Sequence, residues 1–389
     1  MGAGVKSAMQ PPPDNSTGLR LAILAPGELF GGAERQILTL AEALATGGQA
    51  APVLVLFHDR ELADHARRLG IPVRILGARG VVDGRAIRLL RQLLRKERFD
   101  AVSLHGYRAS VYLALAAAGQ PIGVVKTEHG NVEAMGHGLS QRLRPRLYRR
   151  LENAATRRLR AQVVYVTHDL EARCSGEHES LQRSVIYNGI APLVLDHAAV
   201  PPEFHPEAMN LVAIGRLAPV KGLDIAIRAM RDPAMPSEAR LFLVGSGPEL
   251  TTLSDLARDL GVTARVSFLG FRENVYDYIA HADALLMPSH HEGLPYTLLE
   301  ALSLATPVIA SRVGGLAEVL TDRQTALLVD PDNPAALAQA VGVVAETPLL
   351  AEQLVRNGRD LIATGFTAVE MARQYLSLFE SVRVAPRGG

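Results

Sequence analysis

The segment PSHHEGLPYTLLEALSLATPVIAS, Pro288 to Ser311, places one glutamate just ahead of a helical pattern and another eight residues later inside it. The preceding DALLMPS reads as a strand that ends at Pro288-Ser289. Pro295 has no N–H, which suits it to a first helical turn. Glu292 therefore falls in the loop and Glu300 about two turns into the helix. At 1.5 Å rise per residue, Gly293 and Glu300 lie roughly 10 Å apart, about the length of a diphosphate with a sugar on either side. Amides at Gly293 and Leu294 point out of the helix start, where N–H donors and the helix dipole stabilise phosphate. Carboxylates at both ends accept hydrogen bonds from vicinal hydroxyls. Taken by itself the pair also fits a plain structural role, since glutamate favours helix starts and helices alike.

Two carboxylates beside a diphosphate require a cation. AIGRLAPVKGLDIAIRAM (Ala213–Met230) supplies Arg216 and Lys221 between another strand and its helix. The chain holds 37 arginines and four lysines, so a lysine here is not background usage. Ammonium acts on phosphate as a point charge, and a guanidinium fork can hold two oxygens. Two solvated surface cations are the alternative.

Outward from these loops, short apolar runs alternate with helical patterns. LRLAILAP, APVLVLFH, PVRIL, AVSLHG, GVVKTEH and QVVYVTH form one series; NLVAIGRL, RLFLVGSG, RVSFLGF, DALLMPS, PVIAS and ALLVDP form a second. Continuous rather than alternating hydrophobicity predicts parallel strands covered on both faces. The expectation is an α/β chain of two doubly wound, Rossmann-like domains facing across an interdomain cleft, over 19–190 and 210–365. Residues 1–18 read as a disordered tail and 191–209 as a proline-bearing linker. The remaining 366–389 reads as an amphipathic helix packing back across the cleft, followed by a tail.

With 389 residues, 48% hydrophobic and 21% charged, the composition is that of a soluble globular protein. No apolar run reaches membrane-spanning length. The one cysteine, Cys174, excludes an internal disulfide and fits a reducing cytoplasm. Residues 19–200 carry a net charge of about +8 and those after 200 about −7. Much of the excess lies in QRLRPRLYRRLENAATRRLR (Gln141–Arg160), with eight arginines and one acid. As a helix, Arg142–Arg160 would set cations beside Leu143, Leu147 and Leu151, suiting an anionic membrane surface, although Pro145 interrupts its start. An exposed arginine-rich helix without a partner is the alternative. Nucleic acid is not an expected partner, because no aromatic-basic interleaving appears.

The ordered motifs IGRLAPVKG, VGSGPE, SFLGF, PSHHEGLPYTLLEALSLATPVIAS and VGGLAEVL resemble the retaining glycosyltransferases of family 4, which have the GT-B fold. LAPGELFGGAERQILTLAEAL in the first half is similar to that family's first strand, glycine-rich loop and helix. The resemblance implies that Arg216 and Lys221 bind the diphosphate of a nucleotide sugar, UDP-linked by default. Glu292 would hold the donor sugar, Gly293 and Leu294 the phosphate, and Glu300 the ribose. Gly31 and Gly32 match the loop that approaches the donor, a plain tight turn being the alternative; Gly270 and Arg272 mark the base. His129, at a strand end in VVKTEHGNVEAMGHG, matches a family histidine near the reacting carbon, and His105 is a weaker candidate. Asn131, Glu133 and His137 would lie on the acceptor side.

The implied reaction transfers the sugar with retention, without a cofactor or metal, to a glycan or lipid-linked acceptor in cell-envelope or exopolysaccharide synthesis. The family's front-face mechanism hands the acceptor's proton to the departing phosphate. Such an enzyme would be cytoplasmic, peripheral on the inner face of the membrane. Asp330 and Asp332 in VDPDN precede Pro334 and read as helix capping rather than metal ligands. Gly245-Ser246-Gly247 has Leu250 where a dinucleotide fingerprint needs its third glycine. A GT-B epimerase or hydrolase, or a non-catalytic nucleotide-sugar-binding protein, remains the alternative function.

Overall fold

The computed structural model describes residues 18–28, 30–80, 82–130, 139–195 and 199–384. The chain divides into two compact units. One extends to Ala191 and resumes at Ala368; the other is Pro192–Thr367.

In the first unit the strands are β1 (Leu19–Ala25), β2 (Ala50–Leu56), β3 (Val73–Ile75), β4 (Ala101–His105), β5 (Gly123–Glu128), β6 (Gln162–Tyr165) and β7 (Arg183–Val185). Its helices are α1 (Gly32–Thr46), α2 (Glu61–Arg68), α3 (Gly84–Glu97), α4 (Tyr107–Ala116), α5 (Leu139–Leu159) and α6 (His168–Arg173). Every strand pairing is parallel, in the order β3-β2-β1-β4-β5-β6-β7. β4 is buried along its whole length, as expected of a strand covered on both faces.

The second unit repeats the plan with β8 (Asn210–Ile214), β9 (Arg240–Val244), β10 (Val266–Gly270), β11 (Ala284–Met287), β12 (Val308–Ser311) and β13 (Leu327–Val329). Between them run α7 (Leu223–Ala229), α8 (Leu250–Asp259), α9 (Val275–His281), α10 (Tyr296–Ser303) and α11 (Gly314–Val319), followed by α12 (Pro334–Glu346) and α13 (Pro348–Gly365). The sheet order is β10-β9-β8-β11-β12-β13, again parallel throughout. Each sheet therefore starts in its middle, winds outward and then reverses. The reversals fall between β1 and β4 and between β8 and β11. Loops leaving the strands diverge at such points and open a crevice for ligands.

The last helix, α14 (Ala368–Val382), belongs to the first unit and packs on α1 and β5. Tyr375 and Phe379 are fully buried there. The Tyr375 hydroxyl lies 2.9 Å from Thr127 Oγ1 and accepts from Gln36 Nε2 at 3.2 Å. A buried phenol with partners on two elements fixes the helix in place.

All twelve expected strands form. β7 was not expected: it has three residues and begins with an exposed arginine at the sheet edge. α5 runs through Pro145 without a break. So early in a helix, proline gives up one backbone bond while later turns carry the element.

Candidate functional site

In the second unit the crevice between β8 and β11 is built from the two loops that the sequence singles out. After β8 come Gly215 and Arg216, then a 3-10 turn, Pro219–Lys221, closed by Gly222. Gly222 has φ +57°, and a Cβ there would sit 2.1 Å from the Pro288 carbonyl oxygen, so only glycine fits. This close approach seats the Lys221 loop on the loop after β11. The His290 amide fastens the two by donating to the Val220 carbonyl at 2.9 Å.

On that support Lys221 Nζ donates to Glu292 Oε1 at 2.7 Å, and Ser289 Oγ donates to the same oxygen at 2.7 Å. The Glu292 carbonyl accepts from the Gly315 amide at 3.0 Å, so α11 holds the loop from its other side. Glu292 is 8% exposed and Ser289 2%. Gly215, Arg216, Lys221, Pro288, Ser289 and Glu292 line one recess. A carboxylate with one oxygen anchored by a cation and a hydroxyl has fixed orientation and retains lone pairs for a ligand's hydroxyls.

α10 begins at Tyr296 with Pro295 as its N-cap, ψ 140°, and no side chain caps it. The start is one residue later than expected, because the extended Pro295 cannot itself be helical. Leu294 is buried and Gly293 partly so. Glu300 is 2% exposed, and its Oε1 accepts from the Tyr276 hydroxyl at 3.4 Å. Ser289 and Tyr276 escaped the sequence reading because neither stands in a distinctive pattern.

Gly270 ends β10 with φ +69°. Arg272 turns away into a closed triad, donating to Glu203 Oε1 at 2.9 Å and to the Tyr278 hydroxyl at 3.1 Å. Tyr278 donates in turn to Glu203 Oε2 at 2.9 Å. Phe271 between them is 67% exposed. The Gly245-Ser246-Gly247 turn also has a packing role. A Cβ on Gly245 would lie 1.9 Å from the Gly215 carbonyl oxygen, and the Leu217 amide donates to Ser246 O at 3.0 Å. These glycines let the Arg216 loop pass rather than cradle a dinucleotide. Asn333, not Asp330 or Asp332, caps α12, accepting from the Ala336 amide at 3.0 Å. Asp332 instead pairs with His290 at 2.7 Å. Among the described residues, no three His, Cys, Asp or Glu side chains gather as metal ligands.

In the first unit, His105 at the end of β4 and His129 just beyond β5 stand together, Nδ1 to Nε2, at 2.9 Å. His105 Nε2 lies 3.0 Å from Ser103 Oγ. Burial pushes His129 down to about 4, and burial followed by the neighbouring ring lowers His105 well below its ordinary value. Both rings are therefore neutral near pH 7, each with one N–H, so the tautomer of one fixes that of the other. Gly31 is the extended N-cap of α1, its amide donating to Glu34 Oε2 at 3.1 Å. A Cβ at Gly31 would meet nothing closer than 3.6 Å and one at Gly32 nothing within 4 Å. Neither φ nor packing demands glycine at either position. Asn131, Glu133 and His137 lie outside the described residues.

Cys174 is half-buried, and burial raises its thiol to about 11, which disfavours the thiolate a nucleophile needs.

Comparison with known proteins follows the same division of the chain. The family model for glycosyl transferases group 1 matches residues 202–361, and that for glycosyltransferase family 4 matches 30–192. The lipopolysaccharide core biosynthesis glycosyltransferase LpsD of Rhizobium meliloti is 34% identical over 45% of this chain and 50% of its own length. The N-acetyl-alpha-D-glucosaminyl L-malate synthase of Bacillus anthracis is 26% identical over 75% of this chain and 77% of its own. The match spans about half the length of the first curated relatives. Among solved structures, Anabaena Alr3699/HepE in complex with UDP-glucose superposes with a TM-score of 0.78 at 20% identity, covering 93% of this chain and 100% of that one. WaaG, a glycosyltransferase involved in lipopolysaccharide biosynthesis, gives 0.67 at 19%, covering 92% and 99%.

Proposed function

The chain belongs to the GT-B glycosyltransferases of group 1 and family 4, and we propose that it transfers a hexosyl group, with retention, from a UDP-sugar to a glycan or lipid-linked hydroxyl. The observation that carries this reading is the Lys221–Ser289–Glu292 cluster beside Arg216, placed at the reversal point between β8 and β11. A donor laid along the start of α10 would put its diphosphate against Arg216, Lys221 and the Gly293 and Leu294 amides. Glu292 would take the sugar hydroxyls and Glu300 the ribose. Phe271 offers an open aromatic face for the base, a role that the engaged guanidinium of Arg272 suits less well.

When the sugar–oxygen bond breaks, its electron pair goes to the diphosphate. Fixed cations and helix amides stabilise that charge without rearranging, which lowers the barrier. The departing oxygen accepts the acceptor hydroxyl's proton as the new bond forms on the same face. His129, being neutral, orients a hydroxyl instead of contributing charge. No metal is needed, since Arg216 and Lys221 supply the positive charge; undiminished turnover in a chelator tests this point. The name of the HepE complex makes UDP-glucose the first donor to try.

The acceptor reading places the enzyme at the inner face of the cytoplasmic membrane in envelope or exopolysaccharide assembly. Its support is the exposed, arginine-rich face of α5, and no single described helix is long and apolar enough to cross a membrane. The decisive experiment is a thermal-shift screen of nucleotides and nucleotide sugars on the purified chain. A ligand at 100 times its Kd stabilises by about 2.7 kcal/mol. UDP and one UDP-sugar are expected to raise Tm, with Glu300→Ala weakening both and Glu292→Gln chiefly the sugar-bearing one. No shift with any nucleoside diphosphate defeats the reading.

A further inference from the structure

We propose that Glu28 is the residue that recognises the acceptor, its outer carboxylate oxygen taking hydrogen bonds from the hydroxyls of a neutral polyol or sugar ring, and that Arg108 and His58 are positioning residues for it. This rests on the transferase reading above and adds the acceptor's chemistry to it. Glu28 lies in the loop after β1, His58 just beyond β2, and Arg108 in the first turn of α4 after β4. These are the carboxyl ends of strands on both sides of the reversal point between β1 and β4, where a doubly wound sheet takes its ligand.

Several elements converge on one carboxylate oxygen. Arg108 Nη1 and His58 Nε2 both reach Glu28 Oε1, the latter at 2.9 Å. Arg60 Nη1 donates to the Glu28 backbone carbonyl at 3.2 Å. Arg108 is 7% exposed; its guanidinium lies 5.0 Å over the Phe57 ring and donates through Nη2 to the Gly80 carbonyl at 2.8 Å, while Nε is buried with no partner among the described residues. Burying a guanidinium is costly unless its hydrogen bonds are well made. Here that cost is borne to hold a carboxylate whose side chain remains 46% exposed. Among the described residues nothing bonds to Oε2. A loop could be pinned by one backbone contact; this arrangement instead fixes the direction of a free acceptor oxygen.

The chemistry of that oxygen selects the ligand class. Carboxylate lone pairs accept from hydroxyls, and an anion brought against Oε2 would be repelled. The donor's hydroxyls are already provided for by Glu292 and Glu300, which leaves Glu28 for the other substrate.

Saturation-transfer NMR on the full chain tests this, with methyl α-glucoside, methyl α-mannoside, myo-inositol and methyl phosphate as probes at about 10 mM, a range suited to weak binding. At least one neutral polyol is expected to bind the wild-type chain, and methyl phosphate is not. Loss of a charged hydrogen-bond partner weakens binding about tenfold or more, so Glu28→Ala should abolish the signal and Glu28→Gln reduce it. Arg108→Met should match Glu28→Ala, with partial rescue by Arg108→Lys. All four variants should keep the wild-type far-UV circular dichroism, which shows that the first unit is folded, and the UDP thermal shift of the second. The proposal is overturned if no polyol binds the wild-type chain, if methyl phosphate binds in preference, or if Glu28→Ala binds polyol normally. Absence of the UDP shift from the wild-type chain counts instead against the transferase reading.

Discussion

Lys221 does two jobs at once, and they separate experimentally. It neutralises Glu292 in the folded chain, and in the proposed reaction it faces the diphosphate. Removing one partner of a fully buried pair costs about 3–5 kcal/mol; with Lys221 26% exposed, solvent screening brings this toward about 1 kcal/mol. Loss of a group that stabilises transition-state charge lowers turnover about 10²–10³-fold. Lys221→Ala should therefore show a small shift in a denaturation midpoint and a large fall in UDP release from UDP-sugar and acceptor. Comparable losses in both would make the lysine structural. His129 gives a residue-scale prediction on pH. Burial holds it at about 4 in the folded chain against an ordinary 6.5, so between those values the unfolded chain binds a proton that the folded one refuses. Stability must then fall as pH drops from about 6.5 to about 4. His129→Asn should flatten that part of the pH–stability curve, and an unchanged slope would show that another group governs it.

At the scale of elements, the Tyr375 phenol is a polar joint between α14 and the sheet of the first unit, set within their shared apolar core. Tyr375→Phe removes the hydroxyl bonded to Thr127 and Gln36, a change worth about 1–2 kcal/mol. Tyr375→Ala also empties the core around it, for about 3–5 kcal/mol. Urea titrations of the full chain would rank the two, and equal effects would locate the cost in the hydroxyl alone. A second element-scale joint is Lys126, fully buried on β5, which bridges Glu128 of the same strand to Glu152 of α5, the latter at 2.7 Å. Burial alone would raise the Glu128 carboxyl, but Lys126, with His178 nearby, holds it down at about 2. Lys126→Met leaves two carboxylates without their cation and should destabilise by about 3–5 kcal/mol at neutral pH. Apolar runs made every central strand readable, because a strand covered on both faces must be apolar throughout. β7 escaped because a short edge strand needs only one apolar side. Lys221 and Glu292 were readable as separate motifs. Their partner Ser289 was not, since a lone serine carries no period; neither was the Glu28–Arg108 pair, whose members stand 80 residues apart.

Over the whole molecule, the uneven charge acquires a place in the structure. Leu147, Arg150, Leu151, Ala154 and Arg158 follow one another at helical spacing along α5 and are all exposed, while Asn153, Ala155 and Thr156 are buried on its other side. Leu147 is 55% exposed and Leu151 45%. Arg149 is partly neutralised by Glu177 at 3.0 Å, so among the described side chains of α5 Arg150, Arg157 and Arg158 carry most of the charge available to a partner. A basic residue near an anionic bilayer contributes about 1 kcal/mol, and each leucine adds apolar burial in the headgroup region. Three arginines and two leucines together would give weak, reversible association. Charge supplies most of it, and the Debye length contracts to about 3 Å in 1 M salt. The chain should therefore co-sediment with phosphatidylglycerol-containing vesicles at low ionic strength and leave them in high salt. Phosphatidylcholine vesicles should not retain it. Arg150→Glu with Arg158→Glu should abolish binding without lowering the UDP thermal shift, because α5 and the Lys221 loop belong to different units. Binding that survives both the salt and the double substitution would place the membrane contact elsewhere and leave the arginine face to solvent.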